Sequence, residues 1–394
     1  MRARGCTTAP GDGSLAAGSL APGRRSEAVA QQLPDVDLAR GDFTLALQSA
    51  RHRGNLAVVR RLRLVLVLLT VIASSVALPG CSKGCGKSGG DGDRLAVSVS
   101  IFPIYDLVRR VAGPDADVAL LLPPGRNEHS FDPTPKDIEN AARAKVGVMV
   151  GLGLDPWMEK LMKDASPKAR ILKVGDRVPT LPIKDDPIGD EEADKAREAA
   201  AAKDGKKEEH AEHEKGAPDP HVWLDPERAR LIVRAIAEEL GKADSAHAID
   251  YRKRATDIDD SLSTLDKEVE KRTQALGTRG FVTFHGSFQY FAERYKLDIL
   301  AVIEPYPGSQ PSGAYVNQVL EVIKKKKVPA LFSEPQLDPR PAKVLSDEAK
   351  IPLGVLDPVG GGPETDSYEK MIRFDVTQLE KHLSAPAGAP GAPK

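Results

Sequence analysis

The chain has 394 residues, 41% of them hydrophobic and 29% charged, which is enough for two or three domains with real cores under a soluble surface. A formal net charge of -1 and the lack of any basic stripe with interleaved aromatics argue against nucleic acid as a partner. The cysteines are Cys6, Cys81 and Cys85, all ahead of the first strand pattern, so thiolate metal chemistry and disulfides are excluded from the globular body.

Residues 1–55, rich in Ala, Gly, Arg and Ser without sustained periodicity, are expected to be a leader rather than a domain. Arg60, Arg61 and Arg63 then precede an apolar run over 64–78. These are the charged and apolar regions of a secretory signal over 56–80, too short for a settled transmembrane helix. A signal so far from Met1 is expected if translation begins near residues 56–59. The run closes on Leu78-Pro79-Gly80-Cys81, which resembles a bacterial lipobox, so Cys81 is the expected lipidation site and the membrane is reached through that lipid. The polar stretch 81–93 reads as a tether between anchor and body.

From residue 94 short apolar runs alternate with helical patterns. Strands are expected over 95–102, 118–122, 146–150 and 171–174, with Pro103 opening a helix to about Val111, a helix over 135–143, and Asp155 capping a helix that carries Trp157, Leu161 and Met162. Such alternation implies a parallel sheet with both faces covered, and 94–243 reads as one α/β lobe. The charged insertion 185–220 interrupts it and cannot bury enough apolar surface to form core. Within that insertion His210 and His213 form an accessory loop that could hold a metal loosely. His221-Val-Trp-Leu-Asp-Pro226 resumes the order and leads to a helix with Ala229, Ile232, Val233, Ile236 and Leu240 on one face.

Over 244–277 Tyr251, Ala255, Ile258, Leu262, Leu265, Val269 and Leu276 recur at three- and four-residue steps between charged residues, including Asp259. That is one apolar stripe on a long helix, with Asp244 or Ser245 as its cap and Gly277 as its stop. A helix of that length in mid-chain suggests a rigid strut joining two lobes. Beyond it the alternation returns over 278–383, with strands over 281–284, 299–303, 330–332 and 353–356 and helices over 286–295, 313–326, 340–350 and 367–382. The tail 384–394 is expected to be disordered.

His129 lies in the loop after the second strand, His285 follows the strand over 281–284, Asp357 follows the strand over 353–356, and His221 ends the charged insertion. In open parallel sheets ligands bind outside the carboxyl ends of the strands. Two sheets facing each other across a strut would bring these four side chains into one cleft. Three imidazoles and a carboxylate suit Zn²⁺. Mg²⁺ and Ca²⁺ want more oxygen donors, and Mn²⁺ lies lowest in the affinity order. Glu304 and Glu334, each after a strand of the second lobe, are candidates to orient the ligand rings.

At these positions the chain resembles the metal-binding receptors of bacterial ABC importers for zinc and manganese, of the ZnuA type. The matching stretches are Glu128-His-Ser-Phe-Asp-Pro-Thr-Pro135, Gly151-Leu-Gly-Leu-Asp-Pro-Trp157, Asp219-Pro-His-Val-Trp-Leu-Asp-Pro226, Phe284-His-Gly-Ser-Phe-Gln-Tyr-Phe291, Glu334-Pro-Gln336 and Leu356-Asp-Pro358. The resemblance implies two α/β lobes, each with a four-stranded parallel-type sheet, joined by one long rigid helix with the metal between them. It also implies that the metal ligands fall on His129, His221, His285 and Asp357. Members that carry manganese or iron often place Glu where this chain has His285, so zinc is the expected cargo and Mn²⁺ or Fe²⁺ the alternative. The implied protein is a periplasmic or cell-envelope receptor, a monomer anchored at Cys81, that delivers its ion to a membrane permease with its ATPase.

Two other classes compete. A zinc hydrolase needs an open metal position and a base; there is no His-Glu-x-x-His motif, and Glu128 is the only obvious base candidate. A metal-stabilised adhesin would use the same ion structurally.

Overall fold

The central strands of each sheet are short, mostly buried runs, while those beside them are part-exposed and carry charged ends such as Arg170 and Asp298. In the computed structural model, which describes residues 94–184, 216–305 and 311–384, β1 (Leu95–Val99), β2 (Ala116–Leu120), β3 (Val146–Met149) and β4 (Arg170–Lys173) form a parallel sheet ordered β2-β1-β3-β4. β5 (Gly280–Thr283), β6 (Asp298–Val302), β7 (Leu331–Ser333) and β8 (Leu353–Val355) form a second, in the equivalent order β6-β5-β7-β8. The repeated order makes the second lobe a duplicate of the first in architecture. The leader 1–55, the signal 56–80, the tether with Cys81, residues 185–215 with His210 and His213, and the tail beyond Ser384 lie outside the described residues.

Helices α1 (Phe102–Ala112), α2 (Pro135–Arg143) and α3 (Pro156–Ala165) accompany the first sheet. Helices α6 (Gln289–Tyr295), α7 (Gly313–Lys326), α8 (Arg340–Ala349) and α9 (Tyr368–Leu383) accompany the second. Between them run α4 (Pro226–Ala243) and the strut, α5 (Ala248–Gln274). Among the described residues no helix is long and apolar enough to cross a membrane.

The strut's 27 residues span about 40 Å. Its start differs from the expected cap. A 3₁₀ turn, Ser245–His247, precedes it, and no side chain caps the first amides. The Asp244 carboxylate is taken instead by His247 Nδ1 at 2.6 Å and the Tyr251 hydroxyl at 2.9 Å. The Asp155 cap is displaced in the same way, because its carboxylate accepts from the amides of Val150 and Gly151, each at 2.8 Å, and so fixes the end of β3.

Polar bonds fasten the strut along its length. Asp259, which the periodicity leaves among the solvated residues, is buried and accepts from Arg230 and Arg234 of α4, each at 2.8 Å. Arg254 donates to the carbonyls of Val111 and Ala112 at 2.7 and 2.8 Å, closing the carboxyl end of α1. Gly113 (φ +57°) makes room for it, since a Cβ there would sit 2.9 Å from the guanidinium carbon. Glu268 takes Arg373 of α9 at 2.8 Å, and Arg272 reaches Glu380 at 2.7 Å.

The apolar stripe does the rest. The largest buried cluster runs unbroken from Val97 and Val148 of the first sheet, through Leu262 and Leu265 of the strut, to Phe281 and Phe332 of the second sheet. Two lobes with one core have no seam at which to hinge freely. Leu265→Ala, at a side chain with no exposed surface, should therefore cost about 2–5 kcal/mol in urea unfolding of the metal-free protein. Tryptophan fluorescence and far-ultraviolet circular dichroism should still report one coincident transition. Two separated transitions would show that each lobe folds alone.

Candidate metal centre

Each histidine is placed by its neighbours before any ion is considered. After β2 the chain turns into the loop that carries His129. Asn127 Oδ1 accepts the His129 amide at 2.8 Å, Trp157 Nε1 donates to the Glu128 carbonyl at 3.3 Å, and Phe131 packs edge-on against Trp157 at 4.9 Å. A capping box between Thr134 and Asp137 then starts α2. His221 is held twice by Asp219, whose Oδ1 accepts the backbone amide at 2.9 Å and lies 2.8 Å from ring Nδ1. His285 follows β5, and its Nδ1 lies 2.6 Å from Glu334 Oε2 while Glu334 Oε1 accepts the His285 amide at 3.3 Å.

The outcome is a tight group. Glu128, His129, His221 and His285 each offer one ligand atom, and these atoms all lie within 4.8 Å of one another. The three ring centroids stand 5.1, 5.4 and 5.5 Å apart, a nearly equilateral triangle. His221 and His285 turn their Nε2 atoms toward each other at 3.2 Å. A carboxylate oxygen lies 2.8 Å from Nδ1 of His221 and 2.6 Å from Nδ1 of His285, so both Nε2 atoms face the cluster, an arrangement that suits a shared proton or cation. Two donors at about 2.0–2.1 Å from one tetrahedral zinc stand about 3.3 Å apart, close to what is found.

Asp357 is placed differently. It follows β8 and is buried, and its carboxylate accepts from Gln336 Nε2 at 2.7 Å, the Gly360 amide at 2.8 Å and Thr365 Oγ1 at 3.1 Å. It does not belong to the group of mutually close donors, where Glu128 is the carboxylate. Its loop closes on the other lobe, since a Cβ at Gly361 (φ +87°) would lie 2.9 Å from Pro124, in the loop that carries His129. Glu304 is buried at the end of β6, where its charge acts on His285. Sequence reasoning missed Glu128 as a donor and Asp219 as the partner of His221. The signals were the acids one residue before His129 and two before His221.

The charges follow from burial and proximity. Burial opposes a charge on His285, but the Glu334 carboxylate, with Glu128 and Glu304 behind it, outweighs that and raises the imidazole to about 9. Burial pushes Asp219 up to about 7 against the hydrogen bond from the His221 amide. Burial likewise raises Glu128 above the usual carboxylate range, although His129 and His285 pull it down. Without a metal, protons therefore do part of the neutralising in this cleft.

A pair of parallel sheets joined by a long helix, with a buried cluster of imidazoles between them, defines a two-lobed α/β protein with a group of donors between its lobes that could hold a metal ion. The family described as "ZnuA: Zinc-uptake complex component A periplasmic" matches residues 97–382, and the chain belongs to it. The high-affinity zinc uptake system protein ZnuA of Brucella suis is 29% identical over 319 residues, covering 76% of this chain and 95% of its own. The manganese ABC transporter substrate-binding lipoprotein PsaA of Streptococcus anginosus is 26% identical over 329 residues, covering 80% of this chain and 98% of its own. A crystal structure of ZnuA shares the fold at a TM-score of 0.63 and 23% identity, over 74% of this chain and 100% of that one. The protein is thus a periplasmic or cell-envelope receptor of an ABC-type importer for a divalent metal, and not an enzyme.

A metal ion held at this cluster would have to expel the His285 proton, because only the neutral ring coordinates. Calorimetric titration with zinc at pH 7 in buffers of different ionisation enthalpy should show proton release. The contribution of His285 should fade as the pH rises through about 9, where the metal-free ring is already neutral. Glu334→Gln should lower the His285 pKa in a nuclear magnetic resonance titration of the metal-free protein. Zinc binding with no proton release at pH 7 would contradict this account of the charge balance.

Proposed function

We propose that the receptor captures Zn²⁺ between its lobes on His129, His221 and His285 together with one carboxylate, and passes the ion to a membrane permease driven by its ATPase. The observation that carries this reading is the triangle of imidazoles with two Nε2 atoms 3.2 Å apart. Borderline-soft Zn²⁺ gains most from such donors, while Mn²⁺, lowest in the affinity order, is better served by oxygen.

Two carboxylates compete for the fourth position. Asp357, the ligand that the family resemblance implies, comes from the second lobe and is braced by Gln336, Gly360 and Thr365. Glu128 comes from the first lobe and lies among the imidazoles, with Oε1 3.9 Å from His129 Nε2. The geometry favours Glu128, with Asp357 shaping the opposite wall. Capture proceeds by coordination with little closure, because one core and one strut serve both lobes. Release then follows when contact with the permease draws a ligand-bearing loop away. Cys81 holds the receptor at the membrane through a lipid, and the receptor works as a monomer.

Metal analysis of natively purified protein should find one zinc per chain, with Mn²⁺ competing poorly. His285→Ala should weaken zinc binding by about a hundredfold or more, in line with the loss of one of four donors. Glu128→Gln should cost more affinity than Asp357→Asn; the opposite order would move the fourth ligand to the second lobe. Solution scattering profiles with and without zinc should superimpose, and a large contraction on binding would overturn the closure-free mechanism.

A further inference from the structure

Of the three histidines, His285 closely follows a strand and His129 lies in the loop after one, whereas His221 follows no strand. The peptide group of Pro220 precedes it and a 3₁₀ turn, Val222–Leu224, follows. What fixes this stretch comes from elsewhere in the chain. The Tyr290 hydroxyl donates to the Asp219 carbonyl at 2.6 Å, and the Tyr368 hydroxyl donates to the Trp223 carbonyl at 2.6 Å. The two hydroxyls thus grip the backbone two residues before and two residues after His221. Both tyrosines are fully buried.

The first grip closes a ring. Tyr290 stands five residues after His285, one residue into α6 and beyond the 3₁₀ turn Gly286–Phe288, and reaches across to Asp219. The Asp219 carboxylate holds His221 Nδ1 at 2.8 Å, and His221 Nε2 returns to His285 Nε2 at 3.2 Å. The same hydroxyl accepts the Leu181 amide at 3.0 Å, and the Asp219 amide donates to the Leu181 carbonyl at 2.8 Å, so the segment cannot slide without breaking several bonds together. The second grip links to the opposite wall. Trp223, held by Tyr368, donates its Nε1 to the Pro358 carbonyl at 2.7 Å, one residue after Asp357.

We propose that Tyr290 and Tyr368 are positioning residues for the cargo site, setting the approach of His221 to His285 and thereby how long a bound ion is retained. The inference rests on the reading of His221 and His285 as cargo ligands. Neither hydroxyl touches the ion. Each acts through a backbone carbonyl, and a carbonyl released from its donor lets the His221 segment relax by a few tenths of an ångström, enough to spoil a tetrahedral site.

The alternative is that the hydroxyls only satisfy buried carbonyls. Tyr315 supplies the control: its hydroxyl donates to the Val302 carbonyl at 2.6 Å, the same chemistry directed at β6 rather than at the His221 segment. Tyr290→Phe, Tyr368→Phe and Tyr315→Phe each keep the ring and remove one hydroxyl. Zinc release would be followed by stopped-flow chase with a chelator, ligand geometry by the visible absorption of the Co²⁺-loaded protein, and stability by melting with and without zinc. The clamp predicts about tenfold faster release and an altered cobalt spectrum for Tyr290→Phe and Tyr368→Phe, a larger effect for the double variant, and wild-type release and spectrum for Tyr315→Phe. Wild-type release and spectra in all three variants, with melting lowered equally in both states, would overturn it. A wild-type protein that retains no zinc overturns the receptor reading and the clamp together, whereas zinc-binding protein whose variants behave alike overturns the clamp alone.

Discussion

Everything in this molecule is arranged around the cost of bringing imidazoles together in a dry cleft. Imidazole nitrogens that face each other 3.2 Å apart in the interior need a proton shared between them or a cation in its place. The protein keeps them facing by giving the far nitrogen of each ring a carboxylate, Asp219 for His221 and Glu334 for His285. Those acids fix the tautomers and bring negative charge, so that either a proton or a dication is drawn in. A receptor needs this poise, because it has to prefer a metal to nothing and still be able to surrender it.

The scaffold meets the geometric demand by denying itself a hinge. Sheets of identical strand order would ordinarily form two cores that could rock against each other. Here the main core passes through the strut into both sheets, and smaller clusters are left at the two outer ends, around Val319 and Ile323 in one lobe and Met158 and Met162 in the other. Arginine–carboxylate pairs along the strut add direction to that apolar contact. Paired one at a time at a surface they would contribute little, but Asp259 is covered by two guanidiniums at once, so that losing both would leave a largely covered carboxylate unpaired. One core shared by both lobes is what the proposed capture with little closure rests on.

Much of this is legible in the sequence, for definable reasons. Buried parallel strands read as apolar runs and the strut as a stripe, because each periodicity reports one face. His129 and His285 stand out because both follow strands, whose carboxyl ends in a parallel sheet point one way, whereas His221 stands out only in its Asp-Pro-His stretch. What escapes the sequence depends on tertiary partners. Asp244 looks like a helix cap until His247 and Tyr251 compete for it. Asp259 looks solvated until Arg230 and Arg234 of another helix cover it. Glu128 looks like a charged neighbour of His129, since adjacency in a loop does not say which side chains turn inward. The turn stabilised by Asn127, with Trp157 holding the Glu128 carbonyl, decides that.

The central claim is that imidazoles from both lobes share one ion. X-ray absorption at the zinc edge of the loaded protein tests it most directly, since outer-shell scattering counts imidazole rings whatever the crystal or solution state. The account requires about four N/O donors at roughly 2.0–2.1 Å with the multiple-scattering signature of three rings. A shell of six oxygens, or a signature of a single ring, would contradict it.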